Sequence, residues 1–130
     1  MPIPLLLTLG LHIAAAGFWL LTSLVLGFGA TAEASRRMFR AQMVAATIAV
    51  FAGGGLWTML HPYGFGRPEM VLAAGAVLAI AAAGVQGAMV GGPARRLPDP
   101  AAEARIVRGQ KIATVLLVLA LACMMIARRV

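Results

Sequence analysis

A single cysteine, Cys123, leaves this chain without an intrachain disulfide and without a CxxC redox or zinc motif. Acidic residues are nearly as scarce. Glu33, Glu69, Asp99 and Glu103 are the only four, and all lie in polar loops or at the ends of apolar runs. Proton- and cation-coupled transporters usually carry a carboxylate inside the membrane, so its absence argues against that class. Lysine occurs once, at Lys111. A phosphate-binding glycine loop, a nucleophile elbow and an HExxH pair are all missing. Gly53-Gly54-Gly55 falls within an apolar run with no strand before it, which excludes a dinucleotide fingerprint.

What is abundant is hydrocarbon. Hydrophobic residues make up 62% of the 130 residues and charged residues 12%, far from the balance of a soluble domain. About 20 consecutive apolar residues span a bilayer as a helix. Four such runs fit, at about residues 5–28, 40–60, 69–91 and 106–127. The expected fold is all-α: one integral-membrane four-helix transmembrane bundle occupying residues 1–130, with the lipid bilayer as its first partner.

The formal charge of +7 does not point to nucleic acid, because of where it sits. Arg36, Arg37, Arg40, Arg95, Arg96, Arg105, Arg108 and Lys111 flank the first and third loops, against Arg67, Arg128 and Arg129 on the other side. Eight against three places loops one and three in the cytoplasm and both termini outward, as in a bacterial inner (plasma) membrane. Ala30-Thr31-Ala32 has the look of a signal-peptidase site. The preceding apolar run, however, lacks a basic start and is too long for a signal peptide, so the first helix is expected to stay.

Ser35 is the expected cap of the second helix, which stops at His61-Pro62. Pro68 and Glu69 suit the first turn of the third. Gly91-Gly92-Pro93 ends that helix, and Asp99 offers a cap for an early start to the fourth. Arg105, Arg108 and Lys111 recur every three residues, as in a helix snorkelling its charges into headgroups. Small residues at i+4 spacing run through helix two (Ala41, Ala45, Ala49, Gly53) and helix three (Gly75, Ala79, Ala83, Gly87, Gly91). Such ladders let backbones approach closely, either within the chain or in a homo-oligomer or larger membrane complex. Gln42, Thr47 and Gln86 read as interhelical hydrogen-bond partners.

Two side chains inside the first run invite a functional reading. His12 can ligate a metal or heme iron, or relay a proton. Otherwise it is satisfied by a hydroxyl or carbonyl of a neighbouring helix. Trp19 lies seven residues on along the same stripe, too deep for an interfacial belt, where it either fills the core or flanks a flat cofactor. His61, Met59, Met70, Cys123, Met124 and Met125 fall in the outward half with His12. Histidine with thioether ligands favours copper, although methionine is also common apolar filler.

Leu11-His12-Ile13 followed by Trp19, a glycine-rich second helix and an arginine-rich third loop resemble a known group. They are similar to the small membrane proteins gathered around the copper-resistance D domain and the HemJ-type protoporphyrinogen oxidase. The HemJ likeness implies heme b held through His12, together with a lysine in the third helix that activity requires. Here Gln86 is the nearest polar residue to that position, and the Pro-Arg step expected late in the first helix is missing. The copper-resistance likeness implies metal handling at the outer face through His12 and His61. The leading expectation is a heme-binding redox protein. The alternatives are copper handling at the outward face and a cofactor-free structural or assembly subunit.

Overall fold

The computed structural model describes residues 2–130. Four helices account for most of them: α1 (Ile3–Phe28), α2 (Ala32–Leu60), α3 (Arg67–Gln86) and α4 (Pro100–Ala127). Between α3 and α4 the chain passes through a π-helical turn, Gly87–Gly91, and a 3₁₀ turn, Pro93–Arg96. All four helical segments are long and apolar enough to cross a membrane. At 1.5 Å per residue even α3 with its π and 3₁₀ continuation exceeds the roughly 30 Å of bilayer hydrocarbon. The chain is an all-α membrane bundle.

Its order follows from the short connections. α1 packs along α2 and α4, and α3 packs along α4, while α2 touches α3 only slightly. α1 and α3 are thus diagonal. The loops α1–α2 and α3–α4 gather the arginines at one end, called here the basic end; the α2–α3 loop and both termini lie at the far end. Side chains such as Leu7, Ile13, Leu21, Phe51, Val77 and Val115 are more than half exposed and face outward. That pattern suits a surface solvated by acyl chains.

Alanine dominates the interior. Ala15, Ala45, Ala46, Ala49, Ala82 and Ala113 surround Trp19 and Leu117 in the main cluster. A smaller one, Ala32, Val90 and Ile106, closes the basic end. In lipid, small side chains promote association by bringing backbones close, because burying hydrocarbon against hydrocarbon gains little.

Three expectations are corrected by the structure: the cap of α2, its start and the small-residue ladder of α3. The cap of α2 is Thr31, whose hydroxyl accepts from the Ala34 N–H at 3.2 Å. Ser35 lies inside the helix and is fully buried. α2 therefore begins eight residues before the apolar run does. α4 begins at Pro100, six residues ahead of its apolar run, and Asp99 accepts from the Ala101 N–H as the cap expected for that early start. In both helices arginines (Arg36, Arg37, Arg105 and Arg108) interrupt the hydropathy without interrupting the helix.

The third correction concerns the ladder in α3. Gly75 does meet α4, and an added Cβ there would lie 3.1 Å from the Cys123 Cβ. Gly87, by contrast, is exposed and open, and Gly91 faces the Phe39 ring of α2. Helix geometry accounts for Gly87: at 3.6 residues per turn each four-residue step drifts about 40°, which puts Gly87 about 120° from Gly75. The π turn, with its Gly92 N–H bonded to the Gly87 carbonyl five residues back, then shifts the register again before Gly91.

Candidate functional site

The polar interior lies in the half of the bundle nearer the basic end, and every helix contributes to it. Ser23 and Trp19 come from α1, Ser35 and Gln42 from α2, Gln86 from the last residue of α3, and Gln110 and Thr114 from α4. Ser23, Ser35, Gln42, Gln86 and Gln110 have no exposed surface. Trp19 is 1% exposed.

Their amides interlock. The Trp19 indole Nε1–H donates to Gln86 Oε1 at 2.6 Å. Gln86 Nε2 donates to Ser23 Oγ at 2.8 Å and to Gln110 Oε1 at 2.9 Å. Gln110 Nε2 donates in turn to Gln42 Oε1 at 2.9 Å. Gln42 Nε2 reaches Thr22 and Ser23, both at 3.2 Å. The hydroxyls of Ser23 and Thr114 donate back to the carbonyls of Trp19 and Gln110 within their own helices. Among the described residues no buried side-chain nitrogen or oxygen lacks a partner. A buried polar group left unpaired in hydrocarbon costs several kcal/mol (about 2–7), so a closed set of partners is the condition for keeping three glutamines here.

Gln42 and Gln86 have the interhelical role expected of them. Thr47 does not: it is exposed and bonds its own helix at the Met43 carbonyl, 2.8 Å away. Gln110 escaped the sequence reading, and Ser35 was read as a helix cap instead of a buried partner of Gln110. The signal was present, since Gln110 shares the stripe of Ile106, Ala113 and Leu117, all buried. Its neighbours Arg108 and Lys111 drew the reading to the opposite, charged face.

His12 lies in the far half, on the α1–α2 seam. Its Nδ1 is 2.8 Å from the Ala49 carbonyl oxygen. A carbonyl can only accept, so Nδ1 carries the hydrogen and Nε2 is the acceptor of the neutral ring. Gly53 makes room for the imidazole: a Cβ there would stand 3.1 Å from His12 Cε1. Trp19 belongs to the glutamine network two turns away along α1, and it shares with His12 the neighbour Ala49, which lies in the Trp19 cluster.

His61 is held elsewhere. Its Nδ1 is 2.5 Å from Glu69 Oε1, and Glu69 Oε2 accepts from the Gly66 N–H at 2.8 Å. The pair ties the end of α2 to the start of α3, with the Trp57 ring 6.1 Å from that of His61 and Phe65 stacked on Trp57. His12 faces Ala49 and Gly53, whereas His61 lies eight residues beyond Gly53 at the end of α2, about 12 Å further along the helix axis. Met59 and Met70 are exposed and Met124 half-buried. Among the described residues no three His, Cys, Asp or Glu side chains gather as a metal would require.

No family model, curated protein or solved structure matches the chain. The class the architecture defines is a small four-helix integral membrane bundle, and none of these comparisons ties it to the copper-resistance D and HemJ group.

Proposed function

We propose that this chain is a non-catalytic helical subunit of a membrane assembly, with an interior that clasps its own helices instead of handling a solute. One observation carries the reading: the buried polar atoms satisfy one another. A site for a polar substrate needs convergent donors or acceptors with capacity left over. In the glutamine network that capacity is already committed. Isolation of the tagged chain from its native membranes in mild detergent tests this. Comigration with a stoichiometric membrane partner is the expected result. A chain that runs alone and turns over a substrate on its own overturns the proposal.

A heme-binding redox protein with His12 as axial ligand is the second reading; the bond to the Ala49 carbonyl is the cofactor-free alternative for that ring and is also compatible with a ligand role. Metal-ligating histidines usually donate their other ring nitrogen in this way, which fixes the tautomer and leaves Nε2 free to coordinate. The fit to a porphyrin is partial, because Trp19 is packed inside the network and flanks no slot beside His12. Copper at the far end fits less well, with His61 already bonded to Glu69. A reduced-minus-oxidised spectrum and metal analysis of wild type and His12→Ala separate the readings. A heme band or bound copper that disappears in His12→Ala supports a ligand role. A colourless, metal-free protein expressed with ample heme and copper removes both.

A further inference from the structure

At the basic end an open groove of about 740 Å³ runs between α1 and α2. Its walls are apolar, with Phe18 and Val44 both exposed, and Ala14 and Ile48 continue it toward the middle of the bundle. Arg37 and Arg40 close it at the end. From Arg40 to Ile48 is eight residues, about 12 Å of helix, close to half of the roughly 30 Å hydrocarbon core. We propose that this groove seats one anionic phospholipid, with an acyl chain between α1 and α2 and the phosphate between Arg37 and Arg40.

Charge decides the occupant. A second copy of this chain could fill the apolar part, but it has little with which to neutralise the arginines. Glu33 already pairs with Arg36 and Arg37, Asp99 caps α4, and Glu69 bonds His61 and Gly66. Glu103 lines a different groove with Arg108 and Lys111. Arg40 forms no ion pair among the described residues. An anionic headgroup supplies the missing charge, and an arginine can grip phosphate oxygens through two N–H groups at once.

Native mass spectrometry of the detergent-purified protein tests this, with dioleoylphosphatidylglycerol and dioleoylphosphatidylcholine as the two probes. One phosphatidylglycerol molecule is expected to remain bound at voltages that strip phosphatidylcholine. Arg37→Gln with Arg40→Gln weakens that retention roughly 25-fold, about fivefold for each basic residue near an anionic surface. Arg128→Gln with Arg129→Gln leaves it unchanged. Ala14→Phe fills the groove without altering charge and lowers retention of both lipids. If the double variant fails to fold by circular dichroism, Arg40→Gln alone is read, with a fivefold loss expected. Equal retention of the two lipids, or retention indifferent to the arginines, overturns the proposal. So does a dimer in place of the lipid adduct that Ala14→Phe disrupts, which would assign the groove to a second copy.

Discussion

Gln86→Leu is the substitution that most directly probes the interior. The change nearly conserves volume but removes one acceptor and one donor group. Three partners lose a bond: the Trp19 N–H, which donates to Gln86 Oε1, and Ser23 Oγ and Gln110 Oε1, which accept from Gln86 Nε2. Ser23 Oγ and Gln110 Oε1 both keep the Gln42 amide as a donor, at 3.2 and 3.5 Å, so only the indole N–H is left with no partner. Three interhelical bonds at the ~0.6 kcal/mol average measured in membrane proteins amount to about 2 kcal/mol. The one buried group left unpaired, at about 1–3 kcal/mol, would set a ceiling near 5. The membrane-embedded unfolded chain also finds partners, which pulls the value down, so a loss of about 1–4 kcal/mol is expected. Reversible unfolding by sodium dodecyl sulfate in mixed micelles measures it, and in a Trp57→Phe background Trp19 fluorescence reports the same site. The emission should shift to the blue as the indole loses its acceptor. A double-mutant cycle with Trp19→Phe isolates the pair and should return a coupling near 1 kcal/mol. A Gln86→Leu protein within about 0.3 kcal/mol of wild type, with unchanged emission, would refute the view that this network holds the bundle together.

Two further substitutions probe other joints. At Gly109 an added Cβ would come within 2.6 Å of the Met89 Cβ, which is fixed to the π turn's backbone. Gly109→Ala should therefore destabilise by about 1–3 kcal/mol in the same titration, whereas Gly84→Ala, which meets nothing, should be neutral or slightly stabilising. Glu69→Gln weakens the charge-assisted bonds to His61 and Gly66 that join α2 to α3. Hydrogen exchange should quicken at residues 61–66 while the glutamine network and overall stability stay within about 1 kcal/mol of wild type.

The four spans were legible because long uninterrupted apolar runs have few other physical explanations. Gln42 and Gln86 were legible for a related reason, since an amide inside such a run must find a partner on another helix. Ser35 and Gln110 were not, because each sits within a few residues of arginines that make its segment look like loop or headgroup. Only the angular position around the helix distinguishes them: Gln110 continues the stripe of Ile106 and Ala113, whereas Arg105 and Arg108 lie on exposed faces. The break in the α3 ladder was hidden for another reason. An i+4 ladder drifts about 40° per step, so Gly87 has left the face of Gly75 by ordinary helix geometry, and the π turn changes the register again at Gly91 without changing composition. The partner of His12 is a main-chain oxygen, the carbonyl alternative that its place in an apolar run offered, but no side-chain pattern says which carbonyl.

The glutamine clasp is built from carboxamides, hydroxyls and an indole, with no formal charge in it. A transmembrane voltage does about 2.3 kcal/mol of work on each unit charge moved through 100 mV, and here it finds nothing to pull. Nor do these groups gain or lose protons between mildly acidic and mildly alkaline conditions. The fastening between the helices should therefore be equally firm in energised and de-energised membranes, and any sensing by this molecule has to begin outside that network.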